Sequence, residues 1–161
     1  GLTSNNFFSK GGDLQLTGAS ARYNIYKTQD NGYLALGALE EKFWRRFCEI
    51  INLPPNLIDD TINVNATKNA IKEIIFKYPT QYWKDILSNE TNICCSVVNN
   101  LKEAFNDKQV IERQLLSGKI KLGDKDITVM PTPLAPLWRS AEIIEAAPKL
   151  GEGNDVFMKT K

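Results

Sequence analysis

The sequence predicts an α+β fold in which antiparallel hairpins pack against helices. Two alternating apolar stretches flank the turn DNG at residues 30–32, and a second such pair flanks the turn GDKD at residues 123–126. Between the hairpins, apolar residues recur at helical spacing, which indicates packed helices. We therefore expect one small domain over residues 21–130, entered through a linker or loop at 1–20 and followed by an extended tail at 131–161.

The first hairpin is predicted from the alternation on both sides of its turn. Residues 21–28 place apolar and polar side chains at alternate positions, and YLALGAL returns as the second strand. Asn and Gly adopt positive φ at little cost, which suits the turn between the two strands. Within the second strand, Gly37 has no side chain and would let a ligand or another backbone approach closely.

Three helices are predicted after this hairpin. They cover residues 41–52, about 66–77, and a segment that begins after Pro79 with Thr80 as its expected cap. Prolines follow the first two helices and end them. The predicted core faces are Phe43, Phe47, Ile50 and Ile51 on the first helix, Ala70, Ile71, Ile74 and Ile75 on the second, and Trp83, Ile86 and Leu87 on the third.

The remaining segments are short. NICCSVVN predicts a short buried strand, and Asn100 with Glu103 three residues later predicts a capping box at a helix start. KIKL and ITVM predict the second hairpin. The tail is expected to be extended and to wrap around other structure rather than build its own core, because it is rich in proline: Pro131, Pro133, Pro136 and Pro148.

Bulk composition narrows the functional class. With 161 residues, 42% of them hydrophobic and 24% charged, the chain has the length and balance of one globular domain. Its net charge of +1 lacks the basic excess of nucleic-acid-binding domains, and no apolar run approaches the roughly 20 residues of a membrane span. We expect neither a nucleic-acid nor a membrane partner.

The N-terminus shows no targeting pattern and no initiator Met, which indicates a trimmed chain or a fragment.

The chain contains no histidine, which excludes Ser-His and Cys-His catalysis and the usual zinc sites within this sequence. Its three cysteines, Cys48, Cys94 and Cys95, do not form a disulfide framework. Adjacent cysteines in a strand point to opposite faces and do not share a metal. We expect free thiols, a reducing cytoplasm and no bound metal. Any chemistry must use carboxylates or groups supplied by residues outside this sequence.

One long stretch, YNIYKTQDNGYLALGALEEKFW, resembles the signature of the class III CoA-transferase family (CaiB/BaiF), and within it of the alpha-methylacyl-CoA racemases. NICCSVVNNLKEAFND and TPLAPLWRSAEIIEAAPKLGE are similar to two later family segments, in the same order. The resemblance covers only the C-terminal portion of the family's chain. It implies that residues 21–130 are the family's small domain and that residues 131–161 return to a Rossmann-like large domain whose first half is missing.

The resemblance also implies an enzyme activity. The racemases move the α-proton of a 2-methyl-branched acyl-CoA, and inversion needs one base on each face of the planar enolate. In the family these bases are a histidine and an aspartate of the N-terminal half, so the chain alone is expected to be inactive. The CoA thioester carries the substrate and no further cofactor is expected. The resemblance also implies a homodimer, since two chains interlock in the family.

Residue by residue, the resemblance carries over to one catalytic position. Glu40 matches the glutamate of the family's GALE motif, which lies close to the histidine. A carboxylate bonded to an imidazole fixes its tautomer and stabilises the imidazolium. The same motif and strand imply an acyl pocket lined by Tyr23, Tyr26, Gly37, Ala38 and Leu39, although the two tyrosines lie on opposite faces of the strand and one of them is expected in the core.

Several alternatives stay open on sequence alone. Glu40 can equally be an acid that favours a helix N-terminus, worth up to about 1 kcal/mol, and Glu41 is the ordinary helix-start acid facing solvent. Lys42, Arg45 and Arg46 either meet CoA phosphates or form a solvated face. The whole protein is alternatively a CoA-transferase with an aspartyl-CoA type of covalent intermediate, or a non-catalytic dimerisation or interaction module.

Overall fold

The computed structural model describes residue 12 and residues 14–130, 134–138, 144–146 and 148–158. The chain divides into two compact units, Gly1–Val98 and Asn99–Lys161. Helices and antiparallel strands occur in both, which confirms the predicted α+β class. The assignment of the tail to a large domain stays a prediction.

The sheet of the first unit has three antiparallel strands in the order β1-β2-β3. They are β1 (Tyr23–Lys27), β2 (Tyr33–Gly37) and β3 (Cys95–Val97). The predicted first hairpin is confirmed: Asn31 takes a φ of 66°, and the main-chain N–H of Thr28 donates to the Gly32 carbonyl at 2.9 Å. The predicted third strand is confirmed at Cys95–Val97, but it is partly exposed rather than buried, because it pairs with β2 at the edge of the described sheet.

The predicted helices of the first unit are confirmed as α1 (Glu41–Ile50), α2 (Val64–Ile75) and α3 (Thr80–Leu87). Together with the inner face of the sheet they enclose one hydrophobic core, and the buried side chains of Ile71, Ile75 and Trp83 follow the predicted stripes. On α1 the buried face differs from the predicted one. Trp44 is fully buried and its indole N–H donates to the Ile58 carbonyl at 2.7 Å, whereas Phe43 and Ile50 are only half-buried.

The start of α3 differs from the prediction. Thr80 is the first helical residue rather than the cap, and Pro79 at the cap position offers no side-chain acceptor. The missing acceptor comes from the hairpin turn, where the Asp30 carboxylate accepts the Thr80 main-chain N–H at 3.0 and 3.1 Å. This contact fixes the turn of the first hairpin against α3.

The second unit contains two helices, α4 (Leu101–Phe105) and α5 (Lys108–Glu112), followed by the strands β4 (Gly118–Leu122) and β5 (Lys125–Val129). The predicted capping box is confirmed, because the Glu103 N–H donates to Asn100 Oδ1 at 3.0 Å and the Asn100 N–H donates to Glu103 Oε2 at 2.8 Å. The second hairpin is also confirmed, with Gly123 at a φ of 62° in its turn.

The described part of the tail contains structure that the proline pattern does not predict. Strand β6 (Ile144–Ala146) pairs in parallel with β4, and a short helix α6 (Asn154–Met158) follows. The side chains of Leu137 and Trp138 are exposed. Pro131 and Pro133 lie outside the described residues. In the part of the chain that the structure describes, no helix combines the length and the apolar character of a membrane span.

Candidate functional site

The junction between β2 and α1 presents an acid without an evident structural partner. Glu40 occupies the N-cap of α1 in extended conformation, with φ −73° and ψ 138°, and its carbonyl accepts the main-chain N–H groups of Phe43 and Trp44 at 3.0 Å. Its side chain makes no capping hydrogen bond and is exposed. Among the described residues, no side chain forms a hydrogen bond or an ion pair with its carboxylate. The main chain of Glu40 therefore has a structural role, and its carboxylate remains available.

The backbone that leads into Glu40 is fixed from both sides. The Gly37 N–H donates to the Cys94 carbonyl at 2.7 Å, and the Ala38 N–H donates to the Arg22 carbonyl at 2.8 Å. The side chain of Ala38 is completely buried, and Leu39 is half-buried. The carboxylate thus projects from the N-cap of α1, at the end of a connection whose first residues are held by main-chain hydrogen bonds.

Next to this junction, Arg22 forms an ion-pair network that the local sequence pattern does not indicate. Its Nη1 lies 2.7 Å from Glu41 Oε2, and its Nε lies 2.9 Å from Asp60 Oδ1. Arg45 Nε reaches the other oxygen of Glu41 at 2.9 Å. The hydrogen bond from Arg22 lowers the pKa of Glu41, and Arg45 adds to this effect. Glu41 is in the first turn of α1 as predicted, but it also connects two arginines.

A groove of about 480 Å³ lies on the outer face of β1 and β2. Its lining includes Tyr23, Ile25 and Gly37, with Leu16 from the preceding segment. A Cβ added to Gly37 would stand 3.7 Å from the Tyr23 ring, so this glycine leaves open the space above the ring. Glu40 is not among the residues that line this groove.

The two tyrosines of β1 have different environments. Tyr23 is partly exposed and lines the groove. Tyr26 is 1% exposed, its hydroxyl donates to the Ala21 carbonyl at 2.8 Å, and burial raises its pKa. The structure therefore places Tyr26 and Ala38 in the core, and it places Tyr23 and Gly37 together at the surface. Of the two tyrosines, Tyr23 is the one able to touch a ligand in the groove.

The basic face of α1 is largely neutralised by acids. Arg46 donates to both carboxylate oxygens of Glu90, at 2.9 and 2.7 Å, and Arg45 pairs with Glu41. Lys42 Nζ lies 4.5 Å from the centre of the Phe43 ring. Of the two alternatives left open by the sequence, an ion-paired helix face fits these contacts better than a phosphate site.

The thiols do not provide a nucleophile in the core. Burial raises the pKa of Cys48 and of Cys95 to about 12, so both stay protonated near neutral pH. Cys94, in contrast, is exposed. Within the described ranges, no group of three or more His, Cys, Asp or Glu side chains is arranged to hold a metal ion.

Comparison with known proteins identifies relatives of this chain. The profile of CoA-transferase family III matches residues 3–154. Succinyl-CoA:glutarate CoA-transferase of Mus musculus is 30% identical over 108 residues, which are 62% of this chain and 24% of that protein. The chain therefore spans about a quarter of the length of this curated relative.

Solved structures show the same fold. The orthorhombic form of Rv3272 from Mycobacterium tuberculosis matches with a TM-score of 0.64 and 21% identity, over 87% of this chain and 41% of that one. A crystal structure of a mutant of the same protein matches with a TM-score of 0.63 and 22% identity, over 84% and 39% of the two chains.

Proposed function

The chain belongs to CoA-transferase family III, and we propose that it is the C-terminal part of an alpha-methylacyl-CoA racemase. One observation carries this proposal. Glu40 projects an exposed carboxylate from the N-cap of α1, and no described side chain pairs with it. Such a group is suited to accept a hydrogen bond from outside this chain.

In the proposed reaction, Glu40 accepts the N–H of one imidazole nitrogen of a histidine from the N-terminal half. This contact keeps the other nitrogen unprotonated, so that it removes the α-proton of the acyl-CoA. The electrons left on the α-carbon are delocalised into the thioester carbonyl as an enolate. An acid on the opposite face then returns a proton to the α-carbon, which inverts the centre. Glu40 stabilises the imidazolium formed in the first step.

The groove on β1 and β2 provides the proposed wall of the acyl pocket. Tyr23 and Gly37 contact the acyl chain, because both line this groove. Ala38 and Leu39 act indirectly, by fixing the main chain that carries Glu40. Tyr26 supports the strand from the core side through its hydrogen bond to Ala21.

Transfer of CoA between carboxylic acids is the second candidate, and the name of the mouse relative favours it. In that reaction an aspartate of the N-terminal half attacks the thioester carbonyl and displaces the CoA thiolate, which leaves an acyl anhydride on the aspartate. The thiolate then attacks the aspartyl carbonyl and releases the donor acid, and the acceptor acid takes the CoA from this aspartyl-CoA by the reverse of the same steps. The full-length protein, incubated with acyl-CoA in deuterated water, distinguishes the two. Deuterium at the α-carbon without any acceptor acid supports racemisation, whereas product formation only with an acceptor acid supports transfer and contradicts our proposal.

A non-catalytic dimerisation or interaction module is the third candidate. The coding sequence upstream of Gly1 separates it from the first two. An upstream Rossmann-like half with a histidine supports the enzyme, and its absence supports the module. This chain alone is expected to show no racemisation, since it contains no histidine.

We also propose that the full-length protein is a cytoplasmic homodimer. The support is the exposure of apolar side chains in the second unit, where Leu101 is 76% and Ile111 is 60% exposed. Exposed apolar residues of this kind favour association. Light scattering coupled to size exclusion measures the mass, and a monomer over the micromolar range contradicts the proposal.

A further inference from the structure

We propose that Arg22 is a positioning residue that fixes the main chain from which the Glu40 carboxylate projects. This inference rests on the proposed function, because it concerns the carboxylate assigned to that reaction. Arg22 makes contacts on both sides of Glu40 in the sequence, at Ala38 before it and at Glu41 after it.

The first contact is through the main chain. The Arg22 carbonyl accepts the N–H of Ala38 at 2.8 Å, two residues before Glu40. Ala38 is fully buried, so this hydrogen bond is shielded from water. The bond sets the path of the chain as it leaves β2.

The second set of contacts is through the guanidinium. Nη1 donates to Glu41 Oε2 at 2.7 Å, and Nε donates to Asp60 Oδ1 at 2.9 Å. The Arg22 side chain is 18% exposed and that of Asp60 is 10% exposed. Asp60 therefore holds the guanidinium in place, and the guanidinium in turn holds the residue that follows Glu40.

The third contact is with the helix itself. The Arg22 guanidinium carbon lies 5.0 Å from the centre of the Trp44 ring. The main-chain N–H of Trp44 donates to the carbonyl of Glu40. Arg22 thus contacts Ala38 and Glu41, which lie on either side of Glu40 in the sequence. It also contacts Trp44, whose main-chain N–H donates to the Glu40 carbonyl.

Arginine is required for this arrangement because its planar fork donates in two directions at once. A lysine has the same charge but donates from a single nitrogen, so it does not reproduce the separate bonds to Glu41 and Asp60. The variant Arg22→Lys therefore keeps the charge and loses the geometry. Glu41→Gln removes the charge of one partner and leaves Arg22 in place, so it serves as a second and milder variant.

Two measurements test this inference. The first is amide hydrogen exchange in this chain, measured for Arg22→Lys and Glu41→Gln. The exchange rates of the Phe43 and Trp44 amides are compared with those of the α2 amides in the same variant. In the full-length protein, racemisation is measured for Arg22→Lys, Glu40→Gln and the double variant, with the free energy of unfolding measured for each. Glu41→Gln takes the place of Arg22→Lys in this cycle if Arg22→Lys does not fold.

If Arg22 acts through Glu40, exchange at Phe43 and Trp44 accelerates by about tenfold or more relative to α2. In Arg22→Lys, kcat falls by about 10- to 100-fold with little change in KM, as expected when a catalytic group is misplaced. In the Glu40→Gln background, Arg22→Lys has no further effect on kcat. It lowers stability to the same extent in both backgrounds, which separates positioning from a general structural role.

Three results would contradict the inference: unchanged exchange at the junction, an unchanged kcat in Arg22→Lys, or equal losses of kcat in the two backgrounds. Failure of the proposed function gives a different result, because the unmodified full-length protein then shows no racemisation, or Glu40→Gln leaves the racemisation rate unchanged. In that case accelerated exchange still shows that Arg22 fixes the junction, while the catalytic part of the inference is overturned together with the proposed function.

Discussion

Asp30 and Thr80 lie 50 residues apart in the sequence and form three hydrogen bonds with each other. The Asp30 carboxylate accepts the Thr80 N–H at 3.0 and 3.1 Å and the Thr80 hydroxyl at 2.8 Å. It also accepts the hydroxyl of Thr28 at 2.7 Å. The turn of the first hairpin therefore supplies the N-terminal acceptor of α3, and two distant parts of the first unit are fixed to each other.

This contact predicts an acid-sensitive fold. Hydrogen bonds from Thr28, and then from Thr80, hold the pKa of Asp30 well below its usual range. A carboxylate with a lowered pKa in the folded state stabilises the fold above its unfolded pKa of about 3.9, and this contribution is lost as the pH falls below that value. Urea unfolding from pH 7 down to pH 2 measures the loss. Asp30→Ala should reduce stability at pH 7 and flatten the decline below pH 4.

The matched control is Asp85→Asn, which changes an exposed aspartate on α3 itself and away from the turn contact. It should leave the pH dependence close to that of the unmodified chain. An Asp30→Ala variant that declines as steeply as the unmodified chain would rule out Asp30 as the source of the effect.

Two glycines of the same hairpin should respond differently to alanine. A Cβ on Gly32 would collide with the Thr80 hydroxyl and stand 2.9 Å from that of Thr28, whereas a Cβ on Gly37 would meet the Tyr23 ring at an ordinary contact of 3.7 Å. Gly32→Ala is expected to cost about 1–3 kcal/mol of stability through overpacking. Gly37→Ala should be neutral or slightly stabilising. Chemical denaturation of both variants checks this, and equal effects would contradict the close docking of the turn on α3.

The hairpins, helices and capping box could be predicted because each follows from a pattern that is local in the sequence. The face of α1 could be predicted only approximately. The stripes through Phe43 and through Trp44 share Phe47 and Ile51, so helical periodicity does not choose between them. The buried face is the one that contains Trp44, because the indole N–H of Trp44 donates to the Ile58 carbonyl inside the core.

The contacts that fix the candidate site could not be predicted in the same way. Arg22 and Glu41 are 19 residues apart, and neither position differs from an ordinary surface charge in its local pattern. Their pairing depends on how the residue just before β1 lies against the first turn of α1, which only the folded chain defines. Glu40 itself was identified through the family motif, and the structure adds that its carboxylate has no partner among the described residues.

Substitutions of the two tyrosines of β1 should separate a core role from a pocket role. Tyr26→Phe removes the donor to the buried Ala21 carbonyl, and the unsatisfied group is expected to cost about 1–3 kcal/mol of stability. Tyr23→Phe should leave stability within about 0.5 kcal/mol, because its side chain is partly exposed. In the full-length protein, Tyr23→Ala should raise KM for acyl-CoA more than Tyr26→Phe does. The opposite order would place Tyr23 outside the acyl pocket.

Replacing Glu40 with glutamine should separate catalysis from folding. The charge needed to orient and stabilise the proposed histidine is lost, so racemisation by the full-length protein should fall by about 100-fold or more. The free energy of unfolding should change by less than about 0.5 kcal/mol, since the side chain has no described partner. The matched control is Glu73→Gln, an exposed acid of α2 that should leave both quantities unchanged. If Glu40→Gln and Glu73→Gln racemise at the same rate, Glu40 does not orient a catalytic base.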